Sequence, residues 1–275
     1  MLNRRRFLLS SLVAIGGVTA ADAFGIEPHR LQIVHHDVPV PGLSPSLDGA
    51  RIAQLTDLHL HSGLDRIARQ TIDVLRQESA DLVVMTGDMC EHARALPEFT
   101  EFARGCGGHR ALFGVLGNWE AWARADRRAL SAAFAAGGGQ LLVNQTRFVQ
   151  INGKTVGVVG LDDPRTGRPD PVAAMLNVPK PDLSIWLVHA PGFVDQVTHV
   201  VTPTPALILS GHTHGGQIRL PALPAICPAG SGRFVEGWYR DTVAPLYVSR
   251  GLGTSVIRAR LFCPPEITFF TLRRT

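Results

Sequence analysis

Short apolar segments alternate with segments of helical periodicity between residues 51 and 136, and this alternation restricts the fold more than any other feature of the sequence. It predicts, in order, a strand at 51–56, a helix at 64–79, a strand at 82–86, a helix at 97–104, a strand at 111–116 and a helix at 120–136. The run at 82–86 is apolar almost throughout, as expected of a strand that is covered on both faces. Alternating strands and helices are typical of a parallel sheet.

The second half of the chain has a different pattern. Two strand-like segments flank Asn152-Gly153, a dipeptide that favours a type I′ hairpin. Further buried strands are predicted at 183–188 and 206–209, and a final antiparallel pair at 246–249 and 267–272. No linker-like stretch divides the chain. We therefore expect an α/β fold in one domain, with two packed sheets and helices outside.

The N-terminus has the features of an export signal. Paired arginines within residues 3–8 are followed by an uncharged stretch that runs to residue 21. We predict that residues 1–23 are a twin-arginine signal peptide or an N-terminal anchor. Residues 24–50 would be a Pro-rich extension that wraps the surface or adds an edge strand, ahead of the main domain at 51–275. The protein would then be exported, and be periplasmic or otherwise extracytoplasmic, or tethered to the membrane.

Composition narrows the classes further. The 45% hydrophobic content is too high for a disordered chain, and no stretch of about 20 apolar residues suggests a protein with several membrane spans. The net charge of +4 falls to +2 without residues 1–23, and basic residues interleaved with aromatic ones are absent, so no nucleic-acid partner is expected. Four cysteines form no C-x-x-C pair, which argues against a zinc ribbon. Their pairing and the oligomeric state stay open.

Five short polar motifs directly follow predicted strands. They are Asp57-Leu58-His59, Gly87-Asp88, Gly117-Asn118-Trp119-Glu120, His189 and Gly211-His212-Thr213-His214-Gly215-Gly216. Ligands of open α/β sheets bind at the carboxyl ends of strands, so all five motifs would deliver side chains to one edge. Gly-Asp and Gly-Asn are also common in turns, and a single histidine is often a core residue. Two imidazoles between glycines, however, have few roles other than binding metal or phosphate.

The residue types in these motifs indicate a particular kind of metal. Imidazole nitrogen together with carboxylate or amide oxygen suits divalent transition ions such as Mn, Zn, Fe, Co or Ni. Two ions about 3.5–4 Å apart need a bridging anion, and Asp88 is the candidate for that position. Glycines beside the ligands leave space for a phosphate.

The order of the motifs resembles that of the calcineurin-like metallophosphoesterase superfamily, over residues from Arg51 to about Leu272. Segments at 160–164, 211–221, 246–253 and 263–267 are similar to its bacterial branch of exported or membrane-associated phosphodiesterases. The resemblance implies a calcineurin-like metallophosphoesterase fold with two metals at one edge. It assigns Asp57, His59 and His214 to the first metal, Asn118, His189 and His212 to the second, and Asp88 to the bridge between them.

One position departs from the family's pattern. The third motif normally contains a histidine that helps to protonate the leaving group, and this chain has Trp119 there. An indole has no proton to transfer at useful pH, so the catalytic acid is not identified. The enzyme would use a good leaving group or a substitute acid, for which His61 and His92 are candidates. Arg219 and Arg250, beside the ligand loops, are candidate contacts for a phosphate or an anionic head group.

These observations predict a bimetallic phosphoesterase, specifically a phosphodiesterase in which a metal-bridging hydroxide attacks phosphorus. Its partners would be a phosphate-ester substrate and a membrane surface. Two alternatives stay open: hydrolysis of a lipid-linked pyrophosphate such as UDP-diacylglucosamine, and a metal-stabilised phosphate-binding protein with weak turnover.

Overall fold

The structure is a computed structural model that describes residues 17–108, 110–197 and 204–275. The paired arginines of the predicted export signal lie outside the described residues. Within the described ranges, no helix is both long enough and apolar enough to cross a membrane.

Twelve strands in the described part of the chain form two six-stranded sheets. In spatial order, the first sheet contains β1 (Gln32–Val40), β12 (Glu266–Arg274), β2 (Arg51–Leu55), β3 (Leu82–Met85), β4 (Ala111–Gly114) and β5 (Gln140–Leu141). The second contains β10 (Gly237–Tyr239), β11 (Leu246–Val248), β9 (Leu207–Ser210), β8 (Leu183–Leu187), β7 (Lys154–Gly160) and β6 (Gln145–Ile151). Strands β2 to β5 run parallel, as do β7, β8, β9 and β11. The carboxyl ends of these parallel strands provide the edge on which the predicted site depends.

Within the described ranges, residues 17–21 are helical ahead of β1, and five α-helices and several shorter turns connect the strands. The helices are α1 (Arg66–Gln77), α2 (Leu96–Cys106), α3 (Asn118–Trp122), α4 (Arg127–Ala136) and α5 (Pro171–Met175). The shorter turns are Asp22–Ile26, Glu27–His29, Pro45–Leu47, Ala93–Ala95, Pro191–Gln196 and His214–Gly216. Helix α1 begins where the Asp65 carboxylate accepts a hydrogen bond from Ala68 N at 2.8 Å, which satisfies one of the free N–H groups of its first turn.

Buried apolar side chains form three clusters: one on each face of the first sheet, and a third, with Trp186, Ile208 and Phe234, on the outer face of the second. Between the sheets, buried apolar side chains interdigitate, among them Ile52, Val84, Phe113, Val156, Ile185 and Leu209. On its other face, the first sheet packs against α1, α2 and α4 through side chains that include Ile72, Phe99, Phe102 and Phe134. The α/β sandwich flanked by helices is therefore confirmed.

Most of the sequence-predicted elements are present, and two expectations need correction. The single helix predicted at 120–136 is divided into α3 and α4. Arg124 adopts a left-handed backbone (φ 53°), and the Asp126 carboxylate accepts hydrogen bonds from two N–H groups that begin α4. The helix therefore stops and starts again, because a polar cap competes with continuous helical propensity.

The predicted final antiparallel pair is wrong. Strand β11 lies in the second sheet beside β9, whereas β12 lies in the first sheet between β1 and β2. Strand pairing across sheets depends on contacts distant in sequence, which alternation alone does not specify. The Asn152-Gly153 hairpin is confirmed, with both residues at positive φ (50° and 74°), and so is an edge strand from 24–50, which is β1. All four cysteines are free.

Candidate metal centre

The five polar motifs meet where the carboxyl edges of the two sheets come together. The first three follow β2, β3 and β4, and the other two follow β8 and β9. Several of these residues have left-handed backbone, namely Asp57 (φ 51°), His59 (φ 48°), Asp88 (φ 55°), His212 (φ 72°) and His214 (φ 50°). Non-glycine residues rarely adopt this region, and such strain concentrates at functional sites. The turns therefore aim the side chains into one buried space.

One group of donors consists of Asp57, His59 and His214, all of them buried. Their ligand atoms lie within 4.8 Å of one another. His59 Nε2 is 3.1 Å from His214 Nε2, and His214 Nε2 is 3.5 Å from Asp57 Oδ1. Gly211 permits this approach, because a Cβ at that position would lie 2.3 Å from Asp57 Oδ2.

A second group consists of Asp88, His189 and His212, with the same 4.8 Å limit. His189 Nε2 is 3.3 Å from Asp88 Oδ2 and 3.2 Å from His212 Nδ1. The amide oxygen of Asn118 also lies 3.2 Å from His189 Nε2. The structure thus brings Asn118 to the group to which the sequence assigned it.

Asp88 stands between the two groups. Its Oδ2 atom is 3.6 Å from His59 Nε2 in the first group and 3.3 Å from His189 Nε2 in the second. Its other oxygen, Oδ1, accepts a hydrogen bond from Trp119 N at 2.8 Å. A single carboxylate therefore faces both groups, the arrangement expected of a bridging ligand.

Hydrogen bonds behind the imidazoles decide which nitrogen of each ring faces the site. His59 Nδ1 is 2.6 Å from Glu91 Oε2, His189 Nδ1 is 2.7 Å from the Thr86 carbonyl oxygen, and His212 Nε2 is 3.0 Å from the Ala229 carbonyl oxygen. A ring nitrogen that donates to an oxygen fixes the tautomer and leaves the opposite nitrogen free to bind a metal. Sequence reasoning missed Glu91, since no motif marks it.

Two further buried charges hold the ligand loops from behind. The Glu120 carboxylate accepts hydrogen bonds from the backbone N–H groups of Asp88, Met89, Cys90 and Gly117. The fully buried Arg260 guanidinium donates to the carbonyl oxygens of Arg250, Gly251, Gly253 and Cys263. The 250–253 loop in turn reaches Asp57, since Gly253 N donates to the Asp57 carbonyl oxygen at 2.7 Å. Sequence analysis singled out neither Glu120 nor Arg260 for this role.

The balance of charges in the site favours the binding of cations. Burial lowers the pKa of His189, but the carboxylates around it, Asp88 first, outweigh this effect and raise the pKa to about 10. Burial and the charge of His189 lower the pKa of His212 to about 4. For Asp88, the neighbouring imidazoles outweigh burial and hold the pKa below its usual range. Neighbouring carboxylates thus raise the pKa of both His59 and His189, and divalent cations would supply the same compensating charge.

The sequence-predicted phosphate contacts lie elsewhere. The Arg250 guanidinium forms an ion pair with Glu266 (Nη2 to Oε2, 2.6 Å) and is largely buried, and Arg219 pairs with Glu236. A different arginine is better placed. Arg165 is exposed, and a Cβ at Gly230 would lie 2.4 Å from Arg165 Cδ and 3.2 Å from His212 Nε2. Within the described ranges, the Arg165 guanidinium has no carboxylate partner.

Trp119 borders the same space. Its half-buried ring meets His59 edge to face, with centroids 5.6 Å apart, and meets Trp122 at 5.4 Å. A groove of about 320 Å³ opens beside His59 and is lined by His61, whereas His92 is exposed and packs against the His61 ring at 5.6 Å. Of the two candidate substitute acids, His61 is the one that faces the groove.

Fold and site together define a metal-dependent hydrolase of phosphoric esters, and comparison with known proteins agrees. The family model described as calcineurin-like phosphoesterase matches residues 50–216, and the chain belongs to this family. The family uses two divalent metals, and the two groups of donors are consistent with a dinuclear site.

Several curated proteins are similar along most of their length. The chain is 31% identical to the uncharacterized metallophosphoesterase YkuE of Bacillus subtilis, over all of this chain and 99% of that protein. It is 25% identical to phosphodiesterase YaeI of Escherichia coli, over 99% of this chain and all of that protein. It is 26% identical to the UDP-2,3-diacylglucosamine pyrophosphatase LpxG of Chlamydia muridarum, over 94% of each chain.

Proposed function

We propose that this chain is an extracytoplasmic phosphodiesterase whose two divalent transition ions are held by seven residues. One ion would be bound by Asp57, His59 and His214, the other by Asn118, His189 and His212, with Asp88 between them. The single observation that carries this assignment is the position of Asp88 Oδ2, within 3.6 Å of an imidazole nitrogen from each group. When bound, such ions act as Lewis acids on phosphoryl oxygen and lower the pKa of water.

The protein's own residues would bind and orient the ester. Arg165 lies beside His212 with its guanidinium exposed, so it can donate to phosphate oxygens in the geometry that arginine offers to such groups. Trp119 has no acidic proton to offer at this position: its ring meets His59 edge to face, and its backbone N–H donates to Asp88 Oδ1. The leaving group would therefore depart without a proton from this position. Esters whose alcohol is a good leaving group are the substrates that this arrangement favours.

A diester is favoured over a monoester for two reasons. The similar protein YaeI is a phosphodiesterase. A diester also has one charge fewer than a monoester dianion, so a single further cationic contact such as Arg165 would balance it. LpxG, which is a UDP-2,3-diacylglucosamine pyrophosphatase, supports the alternative of a lipid-linked pyrophosphate. Both esters would use the same metal centre.

The test is a panel of aryl phosphodiesters, aryl phosphomonoesters and UDP-diacylglucosamine, each with added Mn, Zn or Co. We expect hydrolysis of diesters above monoesters, lost with a chelator and lost in Asp88→Ala. Asp182→Ala is the matched control, because that carboxylate is exposed and pairs only with Lys154 and Thr155 N. Monoester hydrolysis alone would contradict the diesterase assignment. Hydrolysis of the pyrophosphate alone would favour the alternative, and stoichiometric phosphate binding without turnover would favour a binding protein.

The location rests on the sequence at the N-terminus, where paired arginines precede an uncharged stretch. Replacing Arg4 and Arg5 with Lys should retain the folded precursor in the cytoplasm. Unchanged export of this variant would contradict a twin-arginine route. An intact N-terminus in the membrane fraction would identify residues 1–23 as an anchor rather than a cleaved signal.

A further inference from the structure

Most of the large apolar side chains that are exposed in the described ranges lie on three segments: 18–26, 218–226 and 256–262. Phe24, Ile26, Leu223, Ile226, Val256 and Phe262 are each between 57% and 85% exposed. Single exposed apolar residues are ordinary, but a cluster of them marks a surface that binds something. We call these three segments together the apolar rim.

Hydrogen bonds join the three segments into one surface. The Gln217 side-chain amide donates to the carbonyl oxygens of Ser255 (3.1 Å) and Ile257 (2.8 Å). Arg219 N donates to the Leu261 carbonyl oxygen at 2.9 Å. The N-terminal segment is tied to the same region, because Arg260 N donates to the Ala23 carbonyl oxygen at 2.9 Å. The apolar rim is therefore a connected part of the fold.

The apolar rim borders the groove beside His59. The groove beside His59 is lined on one side by Phe24 and on another by Thr254 and Arg258, which flank Val256 in sequence. Segment 218–226 touches the loop that carries His214, since a Cβ at Gly216 would lie 2.8 Å from Ala225 Cβ. Whatever covers the apolar rim therefore lies next to the opening of the groove.

The charge of this region selects among possible occupants. The apolar rim contains three arginines and one acidic residue, the half-buried Asp22. Arg219 is paired with Glu236 and Arg260 is buried, whereas Arg258 is exposed at the groove. Arg30, at the end of the turn that follows Ile26, is also exposed. Exposed apolar side chains flanked by cationic ones are complementary to an anionic lipid headgroup layer.

The chain itself leads toward the same partner. Residues 7–21 have no charged side chain, and they continue directly into Asp22–Ile26 at the edge of the apolar rim. We propose that the apolar rim docks on an anionic lipid bilayer, with Phe24, Ile226 and Val256 among the residues that enter it. The groove beside His59 then opens at the bilayer surface. This docking does not depend on which phosphoester the site hydrolyses.

The test measures which surface of the full chain touches lipid. Val256→Trp and Ile226→Trp place an indole on the apolar rim, and Leu176→Trp places one at an exposed position (65%) directly after α5. The probes are vesicles of phosphatidylglycerol and phosphatidylethanolamine with brominated acyl chains, which quench nearby indoles. Relative to the unsubstituted protein, we expect the added fluorescence at 256 and 226 to fall roughly twofold or more, and that at 176 to stay unchanged.

Several outcomes would overturn the proposal. Equal quenching at positions 256 and 176, or quenching at neither, would mean that the apolar rim does not face the bilayer. Equal quenching in vesicles of phosphatidylcholine alone would contradict the preference for anionic lipid. A dimer that forms without vesicles and that Val256→Asp dissociates, while position 256 is not quenched, would identify a second copy as the occupant. Hydrolysis of a soluble aryl diester checks the fold of each variant. If the unsubstituted protein does not hydrolyse this diester, the result contradicts the proposed phosphodiesterase activity but not the docking on lipid.

Discussion

The fold holds the seven proposed metal ligands differently from Trp119 and Arg165, the two side chains that face these ligands from outside. The ligands are buried, and Glu91, Glu120 and Arg260 tie their loops from behind. Trp119 is half-buried and Arg165 is exposed, and neither side chain has a hydrogen bond to another side chain in the described ranges. The comparison suggests that the fold fixes the metal chemistry, whereas substrate preference is set by residues that can change at little cost to stability.

The largest expected effect comes from replacing Trp119, one of the two side chains outside the ligands. Trp119→His places an imidazole where the indole now meets His59. A positioned general acid contributes about 10²–10⁴-fold, and most for poor leaving groups. We therefore expect the rate of alkyl diester hydrolysis to rise by that order, with little change for nitrophenyl diesters. Rates measured across a series of leaving-group pKa values would show a flatter slope than for the natural protein.

The control for this substitution is Trp122→His, at an exposed ring that touches Trp119 and not His59. It should leave the slope unchanged. A higher KM with the same kcat in Trp119→His would mean that the indole packs against substrate. If both slope and KM are unaffected, Trp119 does not face the phosphate.

The next largest effect is expected from replacing Glu91, which lies behind the proposed ligand His59. Glu91→Gln weakens the bond that orients His59, and loss of such a carboxylate partner costs about 10–100-fold in metal affinity. Competition with a chelator of known affinity would measure the change. Glu101→Gln, at an exposed position of α2, is the matched control and should have no effect. Equal affinities of the two variants would contradict an orienting role for Glu91.

Metal binding should also depend on pH. The carboxylates around His189 raise its pKa to about 10, so the metal-free protein keeps this ring protonated at pH 7 and must release the proton to bind an ion. Each proton released makes affinity about tenfold higher per pH unit. We expect the apparent Kd to fall between pH 6 and pH 8. Calorimetry in two buffers of different ionisation enthalpy would count the protons, and a Kd that does not vary with pH would refute the charge balance described above.

The smallest effect concerns Arg165. Arg165→Ala removes a guanidinium beside His212 without disturbing a ligand, so KM should rise by about tenfold while kcat changes little. Arg168→Ala removes an equally exposed charge from the same loop and serves as the control. Similar kinetics in the two variants would contradict a contact between Arg165 and the phosphate.

Sequence alone predicted which polar residues converge at this edge of the fold, because each motif is local. A polar residue directly after an apolar strand is visible in the sequence, and parallel strands bring their carboxyl ends together. The residues behind the ligands were missed for the opposite reason. Arg260 lies in a loop that resembles any other, and it becomes a buried donor to backbone carbonyls only because β12 returns to the first sheet beside β2. That same return is what the predicted pair at 246–249 and 267–272 failed to anticipate.

The outer surface was also beyond sequence reasoning. Apolar residues at 218–226 and 256–262 do not differ in type from core residues, and only the tertiary fold leaves them exposed. Arg219 and Arg250 resembled phosphate contacts because they follow ligand loops, but Glu236 and Glu266 lie close enough to pair with them. Charged residues gain such partners through contacts between distant segments, which spacing does not reveal.

The central claim is that Asp88 joins two metal positions into one centre. Metal analysis of the purified protein after loading with excess Mn or Zn tests it most directly. The account predicts about two ions per chain in the unsubstituted protein and a clear loss of metal in Asp88→Ala, with Asp182→Ala retaining both ions. One ion or none in the unsubstituted protein, or two ions in Asp88→Ala, would contradict it.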